Sequence, residues 1–214
     1  MTFLDGNLLS LIIFSPLIGL VVVAGLPKDR AKPIRWVGLI TTLIPLALTL
    51  LAWIRFVPGQ PSYQFEQIAP WFPQIGVNYR VGVDGISLPL MLLTAVLSPL
   101  AALVSFSVTE RVKAYFILFL LLETAMLGAF AALDLIIFFI FFEFTLVPMM
   151  LLIMVWGGEN RRYAAFKFMV YTMAGSVAML LAFQVIGVTL GSFDLAVCRR
   201  ERPNSSPSWH WARN

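Results

Sequence analysis

Leu121–Gly158 reads LLETAMLGAFAALDLIIFFIFFEFTLVPMMLLIMVWGG, two continuous apolar runs separated only by Leu133-Asp134-Leu135. A hydrocarbon core of about 30 Å takes roughly 20 apolar residues as helix, and each run has that length. A membrane strand is about half as long and alternates apolar with polar residues. These runs do not alternate. The stretch is therefore a helical hairpin across a bilayer, with its tight turn on one side.

Working outward, four more stretches qualify. The six spans are Leu8–Leu26, Ile34–Val57, Ile86–Val108, Ala114–Leu133, Leu135–Trp156 and Ala164–Leu190. The first is too long for a signal peptide and lacks the basic leader and cleavage site of one, so it is expected to stay in the chain. The composition agrees: of 214 residues 60% are hydrophobic and only 12% charged, against about a quarter charged in soluble domains. The expected fold is all-α, a polytopic membrane helix bundle over residues 1–195, followed by a polar tail at 196–214.

Loop charges orient the bundle. Lys28, Arg30, Lys32 and Arg35 follow the first span; Arg111 and Lys113 follow the third; Arg161, Arg162 and Lys167 follow the fifth. The opposite side carries Arg55 and Arg80. By the positive-inside rule the first set faces the cytoplasm and the N-terminus faces out. Residues 58–85 hold Pro, Gly and aromatics, as expected of an outer interfacial loop with Trp71, Phe72 and Tyr79 among headgroups.

The counts also exclude chemistries. A single Cys, Cys198, and a single His, His210, cannot build a disulfide, an iron–sulfur site, a zinc site or a bis-His haem. Neither GxGxxG nor a P-loop occurs, so no phosphate cradle is visible. Redox or nucleotide chemistry would have to be carried by partner subunits.

The informative residues are the ionisable ones in apolar surroundings. Glu123 and Glu143 lie ten residues before and ten after Leu133, so each is about 15 Å from the turn at 1.5 Å rise per residue. That is the midplane. An acidic group there costs about 2.5–3.5 kcal/mol on insertion scales and needs a partner, a cavity or a proton. Two at one depth point to a proton relay, with protonated helix–helix glue as the bland alternative. Lys167 lies about one turn from the inner boundary; it either snorkels to the headgroups or turns inward to bias a carboxylate. Tyr171 and Gly175 continue its face as a stripe suited to close packing. Pro16, Pro45, Pro89, Pro99 and Pro148 fall within spans. Pro148 removes the donor that would pair with the carbonyl of residue 144 and so shapes the helix beside Glu143.

GVDGISLPL at Gly82–Leu90, the Leu121–Gly158 string and AAFKFMVYTMAGS at Ala164–Ser176 resemble the antiporter-like membrane subunit, of the chain 4 or chain M type, of proton-pumping NADH–quinone oxidoreductase (respiratory complex I). The resemblance covers about residues 1–195. It implies that Glu143 is the fifth-helix carboxyl carrying the pumped proton's charge, that Glu123 is a fourth-helix acidic position, and that Lys167 is the Lys of a KF-x-x-Y-T run. It also implies partners: other membrane subunits of the complex, the lipid bilayer, and protons or Na⁺ as the coupling ion, with no nucleic acid. NADH, flavin, iron–sulfur clusters and quinone would sit on those partner subunits and no cofactor on this chain, in a bacterial inner membrane. A cation/proton antiporter of the Mrp type and a truncated, purely structural scaffold are the rival readings. The tail after about Leu195 departs from the family and reads as an out-of-frame translation or a truncation.

Overall fold

The computed structural model describes residues 3–60, 62–72, 77–195 and 197. Six helices follow one another: α1 (Phe3–Gly25), α2 (Ala31–Arg55), α3 (Ser87–Val104), α4 (Val112–Ala131), α5 (Leu135–Trp156) and α6 (Arg161–Leu190). All six are long and apolar enough to cross a membrane. In hydrocarbon a backbone must satisfy its own polar groups, and a helix does so within one segment. The tail beyond residue 197, with Cys198 and His210, lies outside the described residues.

Between α2 and α3 the chain forms an antiparallel hairpin, β1 (Gln64–Phe72) and β2 (Val77–Val83), where a loop was expected. Trp71 and Phe72 are exposed on β1, as an interfacial position requires. Tyr79 turns inward instead: its hydroxyl meets Ser10 Oγ at 3.1 Å, and its ring stacks on Phe14 of α1. The GVDGIS motif explains the start of α3. Asp84 Oδ1 accepts from the backbone N–H groups of Ile86 and Ser87, while Ser87 Oγ accepts from the Asp84 N–H, a reciprocal cap for a helix start. Pro89 falls in the first turn of α3, between Leu88 and Leu90, whose N–H groups donate to Asp84 O and Ile86 O, so its missing N–H leaves only the Gly85 carbonyl, at the helix start, without a helical donor. At the other end of the chain, α6 stops at Gly191, which takes the left-handed conformation (φ 66°) that favours glycine as a helix terminator.

α4 is the central helix, packed against α1, α2, α3 and α5, whereas α6 packs on α5. The basic loops meet at one end of the bundle. There Lys113 Nζ donates to the carbonyls of Ala24 and Leu26, Arg35 donates to Val108 O, and Trp156 Nε1 donates to Glu110 O.

The opposite end is stitched through the α4–α5 turn. The Leu133 N–H donates to Arg80 O of β2 and the Leu135 N–H to Phe193 O, while Leu133 O accepts from the Leu195 N–H, each at 2.9 Å. The Arg80 guanidinium pairs with Glu66 and Asp194. Asp134, 2% exposed, caps α5 by accepting from the N–H groups of Ile136 and Ile137, and it also accepts from the Asn78 N–H. Burial raises its carboxyl above the ordinary value of 3.8, with those three backbone donors and the Arg80 charge pulling the other way.

A buried carboxyl raised above its unfolded value contributes stability below that value, and the contribution is lost as pH climbs through the folded one. Asp134→Asn keeps a capping side chain and removes the charge. In detergent melts it is expected to equal or exceed the wild type at neutral pH, the gap closing towards pH of about 4. Asp134→Ala is expected to lie about 1 kcal/mol below the Asn variant at every pH, the usual value of a lost cap. An Asn variant as unstable as the Ala variant at neutral pH would overturn this account.

Candidate functional site

The bundle interior is divided in two. Towards the hairpin end, Leu8, Leu9, Ile12 and Ile13 of α1 pack with Val81, Leu88, Met91, Leu127 and Ala131. Towards the basic end, Val23, Ile34, Leu39, Ala102, Phe116 and Leu120 form a second apolar cluster. Glu123 falls between Leu120 of one cluster and Leu127 of the other. Ser15, Thr42, Thr94, Ser98 and Thr124 are buried in the same interval of their own helices. A polar layer thus crosses the bundle at mid-depth.

The hydroxyls of that layer are already committed. Ser15 donates to Ile12 O, Thr42 to Leu39 O, Thr94 to Leu90 O, Ser98 to Thr94 O and Thr124 to Leu120 O. Each bonds back to its own helix, as Ser and Thr do inside helices. Glu123 is 2% exposed, and both of its carboxyl oxygens are buried without a hydrogen-bond partner. Such a group is among the costliest things a fold can bury unless a proton, water or mobile charge joins it.

Glu143 is oriented by a contact two residues earlier. The ring of Phe141 lies on Gly128 of α4, where a Cβ would come within 2.3 Å of it. Two residues turn a helix by about 200°, so Glu143 faces away from the α4 contact. It is half-buried, and one of its oxygens is buried without a partner. The two carboxyls share a depth but not a face: Glu123 looks into the α1–α4 interior and Glu143 to the far side of α5. α5 runs unbroken through Pro148, which is buried.

Lys167 is exposed on α6, its ammonium 5.6 Å from the Tyr163 ring centroid and 5.9 Å from that of Tyr171. Among the described residues it forms no ion pair with either glutamate. The stripe through Tyr171 and Gly175 is not a packing face within this chain: Tyr171 is 71% exposed, and nothing lies within 4 Å of a Cβ built on Gly175. The α6 residues that are buried are Ala165, Ser176 and Gly187. The mid-depth hydroxyl layer was missed by the sequence reading. Its signal was there: one or two Ser or Thr in the central turns of α1, α2, α3 and α4.

Gly128→Leu is expected to cost about 1–3 kcal/mol in detergent melts, the usual range for overpacking a filled contact. Adding Phe141→Ala should recover part of the loss. A Leu variant that melts with the wild type would show that this contact does not fix the rotation of α5.

Residues 132–201 match the family described as NADH:quinone oxidoreductase/Mrp antiporter, transmembrane. Over 193 residues the chain is 42% identical to NADH-quinone oxidoreductase subunit M of Rhodobacter capsulatus, covering 88% of this chain and 37% of that one. A chain of respiratory complex I from Thermus thermophilus superposes with a TM-score of 0.75 at 32% identity, over 88% of this chain and 38% of that one. The Mrp complex of Dietzia sp. shares the fold, with a TM-score of 0.71 at 20% identity over 90% of this chain and 20% of that one. The chain thus spans well under half the length of the relatives it matches.

Proposed function

We propose that this chain, which belongs to the NADH:quinone oxidoreductase/Mrp antiporter transmembrane family, serves as part of a proton-translocating membrane subunit that couples quinone reduction elsewhere in an assembly to proton movement. The observation that carries this is Glu123: a carboxyl at mid-membrane depth, buried, with neither oxygen bonded. A hydrophobic packing role would not call for an acid there. Holding a charge in that layer is expensive, so the proton on Glu123 answers to any charge brought near it.

Glu143 is the second proton-holding group. Its open side faces away from α4, the direction from which a basic partner could approach. Proton gain at Glu143 then depends on the sign and distance of that partner, and Glu123 adds a second carboxyl at the same depth behind the α4 wall. Lys167 supplies positive charge near the basic end of α6, held between two tyrosine rings. Pro148 leaves the carbonyl of Phe144, the residue after Glu143, without its helical donor.

The reading extends to the surroundings. Other membrane subunits of a complex I assembly are the partners, and NADH, flavin, iron–sulfur clusters and quinone belong to those subunits. The membrane is the bacterial inner membrane, and the coupling ion is the proton. An Mrp-type antiporter is the second reading, favoured by the shared fold; it would move Na⁺ without NADH.

The test uses the full-length chain in its assembled complex in inverted vesicles. Glu143→Gln is expected to reduce NADH-driven proton uptake to background while the complex still assembles and still passes electrons from NADH to a soluble acceptor. Glu123→Gln should lower uptake less severely. Unchanged proton uptake per NADH in the double variant would reduce both carboxyls to scaffold. Sodium efflux that persists without NADH would favour the antiporter.

A further inference from the structure

At the basic end, α4 begins in a cavity of about 450 Å³ lined by Lys28, Thr109, Arg111, Lys113, Ala114 and Ile117, among others. Its composition is split by depth. Three cations and a hydroxyl line it beside the start of α4, and Ile117, half-buried, lies about 7–8 Å along that helix from Val112 at helical rise, on the apolar side. A water-filled polar pocket would not need that apolar floor. A hydrophobic helix contact would not gather three cations.

The cations are available. Lys28 and Arg111 are exposed, and neither forms an ion pair among the described residues. Lys113 lines the cavity with two of its three N–H bonds going to the carbonyls of Ala24 and Leu26. Asp29 and Glu110 adjoin these residues in sequence but do not line the cavity. Arg111 takes the left-handed conformation (φ 48°) with no side chain capping α4, so the first N–H groups of that helix add positive potential at the mouth.

We infer that this cavity holds an anionic glycerophospholipid, its phosphodiester between Lys28, Arg111 and Lys113 and one acyl chain against Ala114 and Ile117. The charge complementarity and the depth profile both favour this occupant: a basic rim at the membrane boundary takes the headgroup and an apolar wall takes the chain. Each basic residue near a membrane surface contributes roughly fivefold to binding of an anionic lipid.

The test is native mass spectrometry of the full chain released from detergent micelles containing phosphatidylglycerol or phosphatidylcholine. The expected result is one tightly retained phosphatidylglycerol, preferred over phosphatidylcholine by about a hundredfold, roughly fivefold for each of the three cations. Lys28→Gln with Arg111→Gln should cut that preference by about fivefold per residue, with an unchanged melting temperature in lipid-free detergent. Arg161→Gln with Arg162→Gln removes the same charge from the start of α6 and should leave the preference intact. Equal loss in both pairs, no preference between the two lipids, or displacement of the lipid by inorganic phosphate would each overturn the assignment. If the double glutamine variant melts early, Lys28→Glu alone decides: a retained preference refutes the site.

Discussion

Everything in this structure follows from one constraint: inside hydrocarbon, no peptide group can rely on water. A backbone N–H or C=O left unpaired there costs several kilocalories per mole, so each crossing is a helix, and the irregular chain is confined to the two ends. The hairpin β1–β2, the Asp134 turn and the segment after Gly191 all gather at one end. The basic loops gather at the other. What remains at mid-depth is side chain, and any polar side chain there stands out against the apolar clusters on either side of it.

The same constraint gives the two glutamates their different characters. Glu123 is buried in a layer whose hydroxyls bond to their own backbones; Ser98, bonded to Thr94 O, is also positioned to act on its carboxyl. Glu143 faces outward from α5, on the side opposite the Phe141–Gly128 contact. One carboxyl is fully buried and the other half-buried, with one of its oxygens covered. Arranged this way, the two carboxyls do not meet on one face.

The spans were legible because runs of about twenty predominantly apolar residues read as crossings, and the Leu133–Leu135 turn because Asp134 is the polar residue that divides its stretch into two runs of that length. The depth of Glu123 and Glu143 came from counting residues. Their facing did not. α5 is apolar on every side, so it has no polar stripe from which its rotation could be read, and the contact that sets it, a ring over Gly128, looks in sequence like any other Phe and Gly. The hairpin was hidden for a different reason. β1 is mostly exposed and interrupted by Pro70, so it lacks the alternation of a half-buried strand, while β2 buries Val77, Val81 and Val83 against α1, α4 and α5 without advertising a partner. Lys167 was readable as near the inner boundary, but its placement between Tyr163 and Tyr171 needed the helix to be built.

The stitching around Leu133 limits how this protein can be altered. Connecting turns are ordinarily the safest places to lengthen a chain, and this one is short and lies outside the membrane. Yet its backbone is shared by three segments: Leu133 bonds to Arg80 through its amide and to Leu195 through its carbonyl, and Leu135 bonds to Phe193. One added or deleted residue would throw all three out of step at once. Epitope tags, labelling sites and natural length variation are better tolerated at the exposed tip that links α2 to β1, around Gly59–Gln60, outside the Val57–Gln64 bonds that close its base.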